Sequence, residues 1–194
     1  VWGLRALGKG YLARLLVATW GGQVISAESR QVYRGMDIGT GKVPVSERIV
    51  PHFGLDLVEP GEPYSVALFQ KYARRVMQDI DDAGSRPILC GGTGLYIRGV
   101  IDGYEYPEGE QEENPVRAKY EALLQEQGAH ALWELLNQRD PESAAVVHEN
   151  NTRRVVRALE LLEQGKSYAV QKENLQTIPQ VVPAIQLGLK VDPD

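Results

Sequence analysis

The chain has 194 residues, 43% of them hydrophobic and 24% charged, with a formal net charge of −5. That is enough for one sizeable core with a small appended domain. The acidic balance excludes a surface coated in positive charge, so any nucleic-acid contact must come from a local basic patch.

Only Val1 and Trp2 precede the first glycine, so most of the strand that normally feeds a glycine loop is expected to be missing. Gly3-Leu4-Arg5-Ala6-Leu7-Gly8-Lys9-Gly10 follows the pattern GxxxxGK. Such a loop wraps backbone N–H groups around phosphates, sets a lysine charge on them, and in its usual form ends in a hydroxyl for Mg²⁺. Gly10 takes the place of that hydroxyl, and Arg5 and Leu7 are bulky where small residues are usual. From Gly8 to about Thr19, Leu12, Leu15, Leu16 and Trp20 recur at helical spacing, and Gly21-Gly22 ends the element.

Gln23 to Ser26 reads as a short strand, and it opens the most chemically dense stretch of the chain, ISAESRQVYRGMDIGTGK from Ile25 to Lys42. Glu28 falls just past the strand, at the carboxyl edge where open α/β sheets bind ligands. A carboxylate there can accept a proton from a nucleophile or help hold a metal ion; a helix-start acid stabilised by the dipole is the plainer alternative. Ser29, Arg30 and Gln31 are polar donors on the same turn. Arg34 and Asp37 read as site residues or as a mutual surface ion pair.

Phe53 to Val58 is expected to be extended. Ser65 can cap a helix carrying Val66, Phe69, Ala73, Val76 and Ile80 at steps of three and four, stopped by Ala83-Gly84. Arg86 to Cys90 reads as a buried strand. The lone cysteine, Cys90, excludes an internal disulfide framework and fits a reducing compartment. Gly91-Gly92-Thr93-Gly94 then turns into a helix, with Thr93 offering a hydroxyl near the helix start; a tight turn without a ligand is the alternative.

Tyr106 to Pro115 is polar and acidic, as a linker would be. Helices follow over Val116–Gln127, His130–Gln138, a segment capped by Asp140 with Pro141 in its first turn, and Thr152–Gln164. Arg153, Arg154 and Arg157 suit a phosphate backbone, or a solvated helix face in which Arg157 pairs with Glu160. Pro183 to Val191 can return to the sheet. His52, His130 and His148 show no metal-ligand spacing, and no residue is assigned as a metal ligand. The longest apolar runs span a few residues, against the ~18 of a membrane helix.

The order of elements predicts an α/β fold: a P-loop NTPase-like parallel sheet with helices on both faces and a helical insertion domain. Residues 1–106 and 166–194 form the α/β core and 107–165 the insertion.

Five blocks in order, the glycine-lysine loop, ISAESRQVYRGMDIGTGK, EPYSVALFQ, PILCGGTGLYIRG and DPESAAVVHENNTRRVVRALE, resemble the tRNA dimethylallyltransferase (tRNA isopentenyltransferase) family. The resemblance implies transfer of a dimethylallyl group from dimethylallyl pyrophosphate to N6 of adenosine 37, in the anticodon loop of tRNA. It implies a donor pyrophosphate held by Gly3, Arg5, Gly8, Lys9 and Gly10 with Mg²⁺, Glu28 as general base, and Thr93 as the gate residue at the target nucleotide. Ser29, Arg30 and Gln31 would contact tRNA, as would Arg117, Arg153, Arg154 and Arg157 of the insertion. It further implies a monomer in the cytoplasm, with no membrane partner. Gly10 stands where the family has Ser or Thr, and Glu28 where it has aspartate, one methylene or about 1.5 Å longer. The sequence is also expected to lack a long later helical region. Two other readings are a P-loop phosphotransferase acting on a small molecule and a tRNA-binding remnant without turnover.

Overall fold

The computed structural model describes residues 2–3, 9–104 and 114–189. It divides into two units, Val1–Tyr104 with Pro179–Asp194, and Glu105–Ile178. In the first, the chain opens on β1 (Trp2–Gly3) and reaches α1 (Lys9–Trp20) and β2 (Gln23–Ser26). A 3₁₀ turn (Val45–Glu47) precedes β3 (His52–Phe53), and α2 (Val66–Asp82), β4 (Pro87–Cys90) and α3 (Gly94–Ile101) follow.

β2 lies between β3 and β4, parallel to both, with Val24 opposite His52 and Ile88 and Ser26 opposite Cys90. The closing segment does form a strand, but among the described residues β5 (Gly188–Leu189) pairs in parallel with β1 as a separate two-stranded sheet and does not join the β3–β2–β4 sheet. Parallel strands need crossovers, and α2 carries the chain from β3 to β4, on the other side of β2. β3 is shorter than expected because Gly54 turns left-handed at φ +76, where a Cβ would sit 2.5 Å from the Ser26 carbonyl oxygen. Val58 rejoins the ladder only as a bridge to Tyr33.

The predicted face of α2 is the core. Phe69, Ala73, Val76 and Ile80 are buried, and the Ser65 hydroxyl accepts from Leu68 N–H at 3.2 Å as the N-cap. Phe69 stacks on Tyr96 of α3 with ring centroids 4.2 Å apart. Burying such side chains is worth about 1.5–3 kcal/mol each. Arg74 and Gln70 add a polar clamp: Arg74 donates to the carbonyls of Val100 (3.0 Å) and Asp102 (2.7 Å), and Gln70 to those of Gly99 (2.6 Å) and Tyr104 (2.8 Å). In the last turn of α3 the Gly99 and Val100 carbonyls are thus satisfied from α2, and the Ile101 carbonyl by the backbone N–H groups of Val181 and Val182.

Two expectations need correction. In α1 the buried positions are Ala13 and Val17, whereas Leu15 and Trp20 are exposed. Leu15 sits two residues from each, about 200° round the helix, so the bulky side chains do not define the core face. β4, expected to be buried, is half-buried, Cys90 included, because it is the edge of this three-stranded sheet.

In the second unit, α4 (Pro115–Arg139) is two arms meeting at Gly128, whose φ 83 and ψ 175 are not helical. α5 (Pro141–Ala145), α6 (Thr152–Glu163) and α7 (Tyr168–Thr177) complete it. Asp140 caps α5 as expected, accepting from Ser143 N–H at 3.0 Å. Tyr120, Leu132, Leu136, Val155 and Leu159 form a fully buried centre. The unit boundaries fall after residues 104 and 178, against 106 and 165 from the sequence. α7 makes the difference: Tyr168 packs on this centre and Ala169 N–H donates to the buried Ser143 hydroxyl at 3.0 Å. The acidic linker falls almost wholly outside the described residues.

Candidate active site

A strand that ends at Ser26 leaves the next backbone groups without ladder partners within it, and here the end of β4 and the turn after it take them. Ala27 N–H donates to the Cys90 carbonyl at 2.8 Å, and Thr93 N–H donates to the Ala27 carbonyl at 3.1 Å. Contact is so close that a Cβ on Gly91 would lie 2.2 Å from the Ala27 carbonyl oxygen. Only glycine fits there.

Side chains complete the junction. Glu28 is half-buried, and its Oε1 accepts from Gly92 N–H at 2.7 Å. Thr93 Oγ1 accepts from Ser29 N–H at 2.9 Å and does not cap α3, although Thr93 is its N-cap residue. Glu28 and Thr93 are therefore brought together at the carboxyl edge of the sheet, each bonded to the other's turn.

Gln31 is 8% exposed. Its side chain accepts from the Ser26 hydroxyl at 2.6 Å and donates to the Thr40 carbonyl at 2.9 Å, while its backbone N–H donates to the Glu28 carbonyl at 3.0 Å. Ser29 is half-buried and Arg30 exposed. Arg34 and Asp37 do not pair with each other: Arg34 bonds Glu59 at 2.9 Å, and Asp37 bonds Lys42 at 2.7 Å. Lys42 also reaches Asp56 Oδ1 (2.8 Å) and the Tyr33 carbonyl (3.0 Å), with its side chain 4% exposed. Burial lowers the Lys42 pKa, and the hydrogen bonds to Asp37 and Asp56 together with the charges of those two aspartates more than offset it, so the net shift is upward. Sequence reasoning gave Lys42 no role; its signal was a lysine closing a glycine-rich loop with an aspartate five positions back. Burial lifts the Tyr96 hydroxyl to about 12, with Tyr33 adding to the shift.

Gly3 ends β1 and Lys9 begins α1, so the glycine-lysine loop joins strand to helix, and Arg5 and Gly8 lie outside the described residues. Gly10 is exposed in the first turn of α1, and a Cβ there would meet nothing within 4 Å. Among the described residues no three His, Cys, Asp or Glu side chains cluster as a metal site. With no hydroxyl at residue 10, this donor set suits only a magnesium ion that keeps its waters and travels with a substrate's phosphates.

In the second unit, Arg153 and Arg154 are exposed and pair with no described acid. Arg157 and Arg117 flank Glu160, at 3.2 and 3.7 Å from its two oxygens, and that carboxylate is 2% exposed. The pairing foreseen for Arg157 is therefore present. A buried carboxylate needs such partners, and Arg117 also pairs with Glu121 at 2.8 Å, so the two guanidiniums are held in place by two carboxylates.

A small parallel sheet carrying a carboxylate and a glycine turn at its carboxyl edge, with a strand–loop–helix phosphate signature ahead of it, defines a P-loop-like α/β protein. The family model described as IPP transferase matches residues 31–194, and the chain belongs to that family. It is 49% identical over 156 residues to the tRNA dimethylallyltransferase of Geobacillus thermodenitrificans, covering 80% of this chain and 49% of that protein. To the tRNA dimethylallyltransferase of Bacillus velezensis it is 43% identical over 195 residues, covering 98% and 60%. The chain thus spans about half to three fifths of the length of these curated relatives. Among solved structures it is similar to the tRNA isopentenylpyrophosphate transferase of Staphylococcus epidermidis (TM-score 0.57, 35% identity, 97% of this chain and 61% of that one). It is also similar to a eukaryotic dimethylallyltransferase acting on tRNA (TM-score 0.71, 28% identity, 89% and 43%).

Proposed function

We propose that this chain carries the donor- and base-handling part of an enzyme that transfers a dimethylallyl group from dimethylallyl pyrophosphate to N6 of adenosine 37 in the tRNA anticodon loop. The observation that carries the reading is the Glu28–Gly92 and Ser29–Thr93 stitching, which fixes a carboxylate and a hydroxyl-bearing residue side by side at the sheet's carboxyl edge. In this reading the N6 lone pair attacks C1 of the donor, the C–O bond to pyrophosphate breaks, and the N6 proton passes to Glu28. Lys9 and the loop residues Gly3, Arg5, Gly8 and Gly10 hold the departing pyrophosphate, whose counter-ion is magnesium.

Thr93 lines the approach of the target nucleotide. Ser29 and Arg30 meet the RNA backbone, and Gln31, committed internally, sets their turn. Arg153 and Arg154 supply phosphate contacts from the second unit, with Arg117 and Arg157 behind them on Glu160. The names of the relatives support this reading over a phosphotransferase. The protein works as a monomer in the cytoplasm, and none of its described helices is long and apolar enough to cross a membrane.

The test is to incubate purified protein with dimethylallyl pyrophosphate, Mg²⁺ and unmodified tRNA, then digest and look for N6-dimethylallyladenosine by mass spectrometry. Product is expected from the wild type, and Glu28→Gln should lower its rate by about 10²–10⁴-fold. RNA binding with no product would leave the tRNA-binding remnant as the correct description.

A further inference from the structure

Ile38 is 100% exposed. A single exposed apolar side chain needs no explanation in itself. The loop that carries it does, because it is tied down from within. Lys42 Nζ, at the loop's end, holds the Tyr33 carbonyl, Asp37 and Asp56. The Thr40 hydroxyl donates to the Met36 carbonyl at 2.7 Å, and Gln31 holds the Thr40 carbonyl. Gly35, Gly39 and Gly41 take the left-handed turns, at φ +69, +75 and +71. These polar bonds are internal to the loop and its base, and the one aliphatic residue between Asp37 and Gly39 is left outside.

The same Gln31 that holds Thr40 is hydrogen-bonded through its backbone to the Glu28 carbonyl and through its side chain to Ser26. The loop tip and the candidate base are consequently parts of one hydrogen-bonded piece. Desolvating a lysine to fix a loop whose tip buries nothing makes sense if the tip is buried by a ligand.

We propose that Ile38 is a substrate-contacting wedge: it packs against the face of a nucleobase adjoining the reacting adenine, and Lys42 is its positioning residue. The inference rests on the prenyl-transfer reading above. N6 is out of reach while the loop bases are stacked, and an apolar side chain inserted at the step replaces the stacking lost when the adenine swings out. Exposed Arg30, on the turn that Gln31 anchors, can hold the adjoining phosphate.

The experiment measures binding of an anticodon stem-loop RNA by fluorescence anisotropy, and steady-state transfer, for wild type, Ile38→Ser, Ile38→Leu and Lys42→Met. Ile38→Ser should raise the RNA Kd and KM about tenfold, the loss of one apolar burial, with the KM for dimethylallyl pyrophosphate and the Tm unchanged. Ile38→Leu should stay within about twofold of wild type. Lys42→Met should weaken RNA binding and also lower the Tm. Ile38→Ser protein that binds RNA like the wild type sinks the wedge while leaving the transfer reading intact. A wild type that neither binds RNA nor makes product removes the reading, and the wedge with it. RNA binding intact but self-association lost in Ile38→Ser would assign the tip to a protein contact and overturn the inference.

Discussion

Thr93 opens a helix, yet its hydroxyl accepts the backbone N–H of Ser29, sixty-four positions earlier, at 2.9 Å. The cap of α3 is thereby spent on fixing the turn that carries Glu28. Removing the acceptor leaves a half-buried N–H unsatisfied, at about 1–3 kcal/mol. Thr93→Val should therefore lower the urea midpoint and, under the proposed function, cut transfer at least tenfold. Thr93→Ser keeps the hydroxyl and should recover most of both. Equal behaviour of the two variants would show that the bond does no positioning.

Gly91 and Gly10 make a matched pair. A methyl at Gly91 meets the Ala27 backbone at 2.2 Å, where neither side can yield cheaply. Gly91→Ala should destabilise the first unit by about 3 kcal/mol or more, read as a clear drop in Tm. Gly10→Ser enters open space and should leave the Tm nearly unchanged. A Gly91→Ala protein as stable as Gly10→Ser would mean that the β2–β4 junction is looser than described.

Lys42→Met strands Asp37 and Asp56, which share the lysine. Breaking a fully buried ion pair costs about 3–5 kcal/mol. The aspartates are 66% and 40% exposed, so solvent screening reduces the expected loss to about 1–2 kcal/mol. Chemical denaturation measures it, and no change in midpoint would remove the clamp from the account.

The second unit should be acid-sensitive through Glu163. Hydrogen bonds from Tyr120, then from Arg139, hold its carboxyl at about 2, below its ordinary 4.5. A folded pKa below the unfolded one means that the stabilisation is complete above pH 4.5 and is lost as pH falls towards 2. Melting curves across that window should show Glu163→Gln less stable than wild type at neutral pH and less steeply dependent on acid. Parallel pH profiles would contradict the network.

Local signals placed most of the elements. Valine and isoleucine in QVIS gave the strand, Ser65 and the three-four spacing after it gave α2 with its buried face, and Asp140-Pro141 gave the start of α5. Each of these is decided by residues within a turn or two of one another. The exceptions have a common cause. Leu15 and Trp20 are as apolar as a core demands, but which face of α1 turns inward depends on what β4 offers it.

At the candidate site the sequence by itself determined the chemistry available: a carboxylate after a strand, a threonine after a glycine pair, arginines on a helix. The tertiary structure alone decided their partners. It put Gln31 inside, gave Asp37 to Lys42 rather than Arg34, and set Arg117 and Arg157 on one buried carboxylate. Hydrogen-bond and ion-pair partners depend on distances between segments far apart in the chain, and those distances exist only after the strands have paired and the helices have packed.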